Sequence, residues 1–366
     1  MAVEQNKRSP VLDLNRREAI AVEIDVAEAA EVLMSICAVA DRADHDTFDL
    51  GAEWLQARLE TIPAALREEV ETLRLGDMKL AAHLLGIVYE LPAPRTFAAL
   101  MGRLEQLDPV DLKLHLFGHF DTTTNHVEPA IVEAAAHGDA AAIDEVLEAV
   151  AEWTDKHELY RAMLQMDGLE LKRRINGLLP RWYEHVFRPH EAEWREAAER
   201  DAEAKRALAK RHSPEQLVEL ATRGYQYTPP PAIRTLVFFP SWFMRPWVIL
   251  WEHKSTKIFC YPIAPAADDV TSPAEVARVY KALGDEGRLK LLRRLSDGPM
   301  TLNEAAGELG VAKSTAHHHL AILRQAGFVT IRDEDEKVYS LRTDLPQTGD
   351  LLSGYLGGSR SSATSA

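Results

Sequence analysis

The sequence predicts a mostly α fold of the α+β class: a large helical N-terminal domain with a small antiparallel sheet, followed by a compact C-terminal unit. Three observations carry this. Before residue 223 the apolar residues recur at helical spacing in stretches rich in Ala, Leu and Glu. Between 233 and 263 the period changes, and aromatic and β-branched residues cluster. From 272 to 344, short amphipathic segments alternate with turn and cap signals and end in two alternating runs.

In the N-terminal domain (1–265), residues 19–25 (AIAVEID) alternate apolar and acidic and suit a short strand. Segments 27–40, 53–73, 130–153 and 189–210 are the strongest helical stretches. Pro63, Pro92, Pro94, Pro109 and Pro129 fall at helix starts and stops. Residues 194–211 carry charges throughout and are expected to form a solvated helix. Three prolines at 229–231 then end helical structure. Residues 234–239, 247–253 and 257–263 read as three strands of a β-meander, with Pro240 and Pro246 in the first turn. Residues 264–272 read as a linker, and 353–366, rich in Gly and Ser, as a disordered tail.

Composition narrows the function. With 46% hydrophobic and 27% charged residues among 366, the chain can bury a sizeable core. The net charge of -15 excludes a protein that coats nucleic acid over its whole surface. The charge is uneven: residues 272–344 hold 11 basic and 11 acidic side chains, against 31 and 46 elsewhere. Two cysteines, Cys37 and Cys260, make no disulfide framework, so a reducing cytoplasm is expected. Residues 1–17 lack a signal-peptide core, and the most apolar run, 236–251, is interrupted and too short to cross a bilayer. No membrane partner and no cofactor are expected.

The unit 272–344 is the most informative part. Its first helix places Val276, Val279, Tyr280 and Leu283 on one side, and Gly284-Asp285 stops it and starts a second, with Leu289, Leu291, Leu292 and Leu295 inward. Thr301 and Glu304 form a capping-box pair opening the third helix. Gly310 supplies a tight turn, and a fourth helix runs over 312–326 to Gly327. On this helix Ala316, Leu320 and Leu323 face inward, while Lys313, Ser314, His317, His318 and Arg324 form the other side. Such hydrogen-bonding groups can read base edges in a major groove, and Thr315 can add a phosphate or base contact. Residues 328–331 and 338–341 make a hairpin around an acidic tip, Asp333 to Glu336, which phosphate would repel. Arg332 and Lys337 at its base are the groups left to contact the backbone. Three helices, a tight turn, a fourth helix and a hairpin in this order make a winged helix-turn-helix.

Residues 276–341 resemble the winged-helix domain of ArsR-type bacterial regulators. The resemblance is carried by Ala282-Leu283-Gly284-Asp285 with Arg288 and Leu289, and by 311–328 (VAKSTAHHHLAILRQAGF). It implies that Ser314, Thr315, His317 and His318 face DNA. The stretch 239–262 is similar to that of a group of such regulators with a long N-terminal domain of undefined function. Metal-sensing members carry a cysteine pair on the helix before the recognition helix. Here that helix, 301–309 (TLNEAAGEL), has none, and a C-terminal His/Asp/Glu helix is absent from the expected pattern. His317 stands where the family often has serine.

His317, His318 and His319 point about 100° apart on a helix and cannot converge on one ion. His115 and His119, at i and i+4 near Asp121 and His126, are candidate metal ligands, but a partly buried, hydrogen-bonded histidine pair is preferred. Trp242, Trp247, Trp251 and Tyr261 could line a ligand pocket, although aromatics at strand spacing are more often core. No phosphate loop or spaced catalytic set is present, so no enzyme is expected. The reading is a cytoplasmic, homodimeric, sequence-specific regulator of double-stranded DNA, a repressor, whose N-terminal domain supplies dimerisation or an effector site. The alternative is an N-terminal ligand-binding or enzymatic module with the winged helix docking a protein.

Overall fold

The computed structural model describes residues 20–73, 75–119, 127–150, 157–263, 273–333, 337–346 and 348–357. The linker expected at 264–272, Asp121, His126 and residues 358–366 lie outside these. The described residues open on β1 (Ala21–Ile24) and continue through α1 (Glu28–Val39), α2 (Ala52–Thr61), α3 (Ala64–Thr72), α4 (Leu85–Glu90), α5 (Phe97–Gln106) and α6 (Pro109–Leu116). Then come α7 (Pro129–Ala136), α8 (Ala140–Val150), α9 (His157–Gln165), α10 (Gly168–Trp182), α11 (Glu191–Ala209) and α12 (Pro214–Thr222). Prolines open α6, α7 and α12, where a missing N–H costs nothing. Pro63 divides the helix expected over 53–73 into α2 and α3.

Every residue of α1 is buried, and the first hydrophobic core forms around it. Its polar side chains are partnered inside. Ser35 accepts a hydrogen bond from Trp182 Nε1 at 2.9 Å. Glu31 Oε1 accepts the backbone N–H groups of Trp242 and Phe243 at 2.7 and 2.8 Å, fixing the chain as it leaves the sheet. Burial raises the Glu31 carboxyl to about 7, against the opposing pull of these hydrogen bonds.

After α12 come β2 (Tyr225–Tyr227), β3 (Thr235–Ser241), β4 (Ile249–His253) and β5 (Thr256–Pro262). The sheet runs β1-β3-β5-β4 and is mixed, not the antiparallel meander expected. β3 lies parallel to both β1 and β5, and only β4–β5 is antiparallel. The reason lies in residues 242–248. Instead of a tight turn, they bury Trp242, Phe243 and Met244 in the first core, so β4 lands one strand away and β5 returns into the gap. Val237, Phe239, Ile258 and Cys260 face the first core. Leu236, Phe238, Phe259 and Tyr261 face a second. Burial on both faces explains the near-continuous apolar reading of these strands.

Helix α11 is not the solvated helix expected. Trp194, Ala198 and Ala202 are buried, the alanines allowing close approach to β1 and β3. The buried Asp201 and Lys205 pair at 3.0 Å, with the Lys205 ammonium 5.6 Å from the centre of the Tyr261 ring.

The C-terminal elements are α13 (Pro273–Leu283), α14 (Glu286–Leu295), β6 (Met300–Thr301), α15 (Leu302–Leu309), α16 (Lys313–Gln325), β7 (Val329–Asp333), β8 (Val338–Leu341) and α17 (Thr348–Tyr355). This unit is larger than the expected 272–344. β2 adds a parallel strand to its sheet, which runs β2-β7-β8-β6. Leu217, Val218 and Tyr225 share the second core with Leu291, Leu320, Phe328 and Tyr339. Residues 353–355, expected in the disordered tail, belong to α17. Tyr280 and Leu289, expected inward, are 39% and 49% exposed.

Arg324, expected on the DNA-facing side, is buried instead. Its Nη1 donates to the Thr222 carbonyl at the end of α12, at 2.8 Å. Burial lowers its pKa to about 10, so it remains charged at neutral pH. Arg278 Nη1 adds a second tie, 3.4 Å from Asp49 Oδ2.

Glu31 titrates near 4.5 when unfolded and near 7 when folded. The folded chain therefore holds the extra proton between those values, and stability falls as pH rises through that window, by roughly 3 kcal/mol. Glu31→Gln should lose less melting temperature than wild type between pH 5 and pH 8, and parallel curves for the two would refute the assignment. Arg324→Ala should lower unfolding stability by about 2 kcal/mol, through loss of a buried charged hydrogen bond. Its urea midpoint should fall while that of Lys313→Ala stays at the wild-type value.

Candidate nucleic-acid interface

Local sequence builds the interface in steps. Asp285 caps α14 by accepting the Arg288 N–H at 2.9 Å. Thr301 and Glu304 close the expected capping box on α15 in both directions. Gly310 ends α15 at φ +66, a conformation that penalises any side chain, and the chain turns into α16. Ala316, Leu320 and Leu323 are buried and set the rotation of α16 on α14 and α15.

That rotation leaves Lys313, Thr315 and His317 exposed and His318 half-buried on the outward side. The side chain of Ser314 lies outside the described set. Arg332 and Lys337, at the two sides of the hairpin, are exposed as well. Residues 334–336 of the acidic tip, with the Asp333 side chain, are outside the described set. Thus five of the eight residues expected to meet DNA are exposed and one is half-buried, while Arg324 faces the other way. The spacing failed there because α12 and β2 cover the far end of α16, a contact from 102 residues away.

The electrostatics suit a base-reading surface. Partial burial of its ring, then the charges of Lys337, Arg324 and His318, push the His317 imidazole below its ordinary value. A neutral imidazole at pH 7 both donates and accepts, which base edges require. His319 takes a different role: its Nδ1 lies 3.6 Å from Asp285 Oδ1, linking α16 to the start of α14. The three histidines therefore diverge. One feature was not read from the sequence. Ala312, the cap of α16, makes no side-chain cap hydrogen bond, and the N-terminus of a helix suits phosphate binding. An alanine among cap-forming residues was the available signal.

The other candidates separate. Helix α6 ends at Leu116 and Gly118 takes φ +79, so His115 and His119 do not share a helical face. His115 is buried with its ring 5.6 Å from that of His253, and burial lowers its pKa to about 3. His119 instead lies 3.3 Å from the Pro129 carbonyl and 3.6 Å from Glu133. They do not form a pair. Among the described residues no group of three His, Cys, Asp or Glu could hold a metal ion.

The four aromatics do not line one pocket. Strand alternation sends Tyr261 to the second core, while Trp242 and Trp251 fill the first and Trp247 packs at its margin. Trp251 stacks on His83 at 4.2 Å, and Trp247 Nε1 donates to Thr47 Oγ1 at 2.8 Å. Helix α15 carries no cysteine, and both cysteines are buried around α1 and β5. The C-terminal helix not expected from the sequence exists as α17, with Asp350 its single acidic residue. No described helix is long and apolar enough to cross a membrane.

Comparison with known proteins agrees with this geometry. Residues 285–330 match the family described as bacterial regulatory protein, arsR family. An uncharacterised HTH-type transcriptional regulator of Bacillus subtilis, YceK, is 39% identical over 83 residues, 22% of this chain and 81% of that protein. The transcriptional repressor SdpR of the same organism is 36% identical over 70 residues, 19% of this chain and 78% of SdpR. A cadmium resistance regulatory protein, the CadC homologue of Staphylococcus aureus, is 36% identical over 69 residues, 19% of this chain and 57% of that protein. The chain belongs to the arsR family of bacterial regulatory proteins and is a regulator of transcription that binds double-stranded DNA.

Proposed function

We propose that the chain acts in the cytoplasm as a homodimeric repressor that reads an operator with α16 in the major groove. The observation that carries this is the outward side of α16, with Lys313, Thr315 and His317 exposed together with Arg332 and Lys337. The residues expected at the interface remain Lys313, Ser314, Thr315, His317, His318, Arg332 and Lys337, without Arg324. Repression takes its sign from relatives such as SdpR.

Dimerisation is supported by an apolar surface on two packed helices. Tyr280 of α13 donates to the Thr348 carbonyl at the start of α17, at 3.0 Å. Next to this contact Leu352, Tyr355 and Leu356 remain exposed. Two recognition helices at helical-repeat spacing would read a paired half-site. The acidic excess outside 272–344 would repel non-specific DNA at low salt and sharpen the choice of site. The reading gives the N-terminal part no catalytic step.

Fluorescence anisotropy on selected and random duplexes tests the interface. Lys313→Ala should weaken binding to every duplex and lower the log–log salt slope by about 1. His318→Ala should change the preference between duplexes with the slope unchanged. Unchanged affinity after joint removal of Lys313, Ser314 and His318 would sink the reading, and so would affinity insensitive to salt. For the dimer, Tyr355→Glu with Leu356→Glu should sediment as a monomer and lose operator affinity. A double variant that remains dimeric would remove this surface from consideration.

A further inference from the structure

A cleft of about 800 Å³ opens where α12 meets the winged-helix unit. Leu220 of α12, Val279 of α13, Gln325 at the end of α16, Arg342 after β8 and Leu351 of α17 all line it. Two observations mark it as a built site. Gln325 is 5% exposed, yet its side-chain Nε2 finds no hydrogen-bond acceptor among the described residues. An N–H group buried in this way costs about 1–3 kcal/mol, which an acceptor brought by a ligand would recover. The second is the lining itself. Arg223, Arg278 and Arg342 line it with Glu219 and Asp350, Arg278 lying 3.4 Å from Asp49 and Arg342 donating to Asp344 at 3.0 and 2.9 Å, and His212 adds a titratable group. Leucine, valine, alanine and proline side chains make its apolar wall, and Leu220 is 46% exposed.

Resting on the regulator reading above, we infer that this cleft binds a small amphipathic organic anion, a carboxylate with a short hydrocarbon body. The carboxylate would lie on the arginine-lined side beside Gln325, whose buried amide turns to donate to it, and the hydrocarbon would cover Leu220 and Leu351. A cation meets the guanidinium groups of Arg223, Arg278 and Arg342 there. An uncharged hydrocarbon leaves the Gln325 amide unsatisfied, and a bare phosphate leaves the apolar wall wet. The volume lies in the range of small-molecule sites.

Occupancy bears on DNA because of where the cleft sits. Gln325 follows Arg324, whose guanidinium holds α16 to the Thr222 carbonyl of α12. A ligand touching both helices acts on that joint, and so on the presentation of α16. Linkage then requires that DNA and anion change each other's affinity by the same factor.

Calorimetric titration of the full chain with octanoate tests the site, with acetate and 1-octanol as controls. Saturable 1:1 binding of octanoate is expected, with both controls at least about tenfold weaker. Leu220→Glu, a substitution at an exposed position, should weaken octanoate about tenfold while keeping the wild-type melting temperature, and Gln325→Met should do the same to binding. No saturable binding below about 10 mM, or wild-type affinity in Leu220→Glu, overturns the site. Anisotropy on a selected duplex, with and without octanoate, reads the coupling, and identical DNA affinities overturn it. DNA binding intact with no octanoate binding defeats the cleft and leaves the regulator standing. Octanoate binding intact with no affinity for any duplex does the reverse.

Discussion

The hydrogen bonds between β2 and β7 set the terms for the rest of the molecule. Three residues, Tyr225–Tyr227, extend the sheet of the winged helix with a strand drawn from the N-terminal part of the chain. Tyr227 then packs edge-on against Phe259 of the large sheet, at 5.6 Å. Through this one strand the recognition unit shares a core with α12 and the second face of the β1-β3-β5-β4 sheet. The first face of that sheet packs on the α1 core. Any movement of α16 against the N-terminal helices must therefore break main-chain hydrogen bonds, deform a packed core, or carry α12 along. Packed interiors resist continuous deformation and favour discrete alternatives.

The parts of this arrangement that were legible in the sequence are those set by neighbours within a few residues. Thr301 and Glu304 announce the start of α15 because a capping box needs only those two side chains and their own amides. Gly310 marks the turn because φ there is positive, and the prolines mark helix starts because their rings fix φ. The outward placement of Lys313, Thr315 and His317 follows from the helical period once Ala316, Leu320 and Leu323 are inside.

What the sequence concealed depends on distant contacts. Arg324 lies two turns beyond His317 and reads as part of the same side, until α12 covers the end of the helix. The charges of α11 read as a wet surface, although Asp201 and Lys205 neutralise each other inside the protein. Strand direction was hidden for the same reason. The spacing of β3, β4 and β5 fits a meander equally well, and only the burial of 242–244 decides against it. Gln325 gave no signal, since an amide near a helix end is ordinary until its surroundings are known.

The same short strand has a consequence for solubility. In a winged-helix sheet, β7 would present an open row of N–H and C=O groups beside the apolar Val329 and Ile331. Such an edge can recruit strands from other molecules. Here Tyr225–Tyr227 occupies that edge in register with Ile331 to Asp333, and the opposite edge, β6, is only two residues long. The strand thus works as a built-in guard against self-templated assembly. Loosening it to gain motion in the reading head would expose a site for polymer growth, which ties the freedom of that head to the chain's resistance to fibre formation.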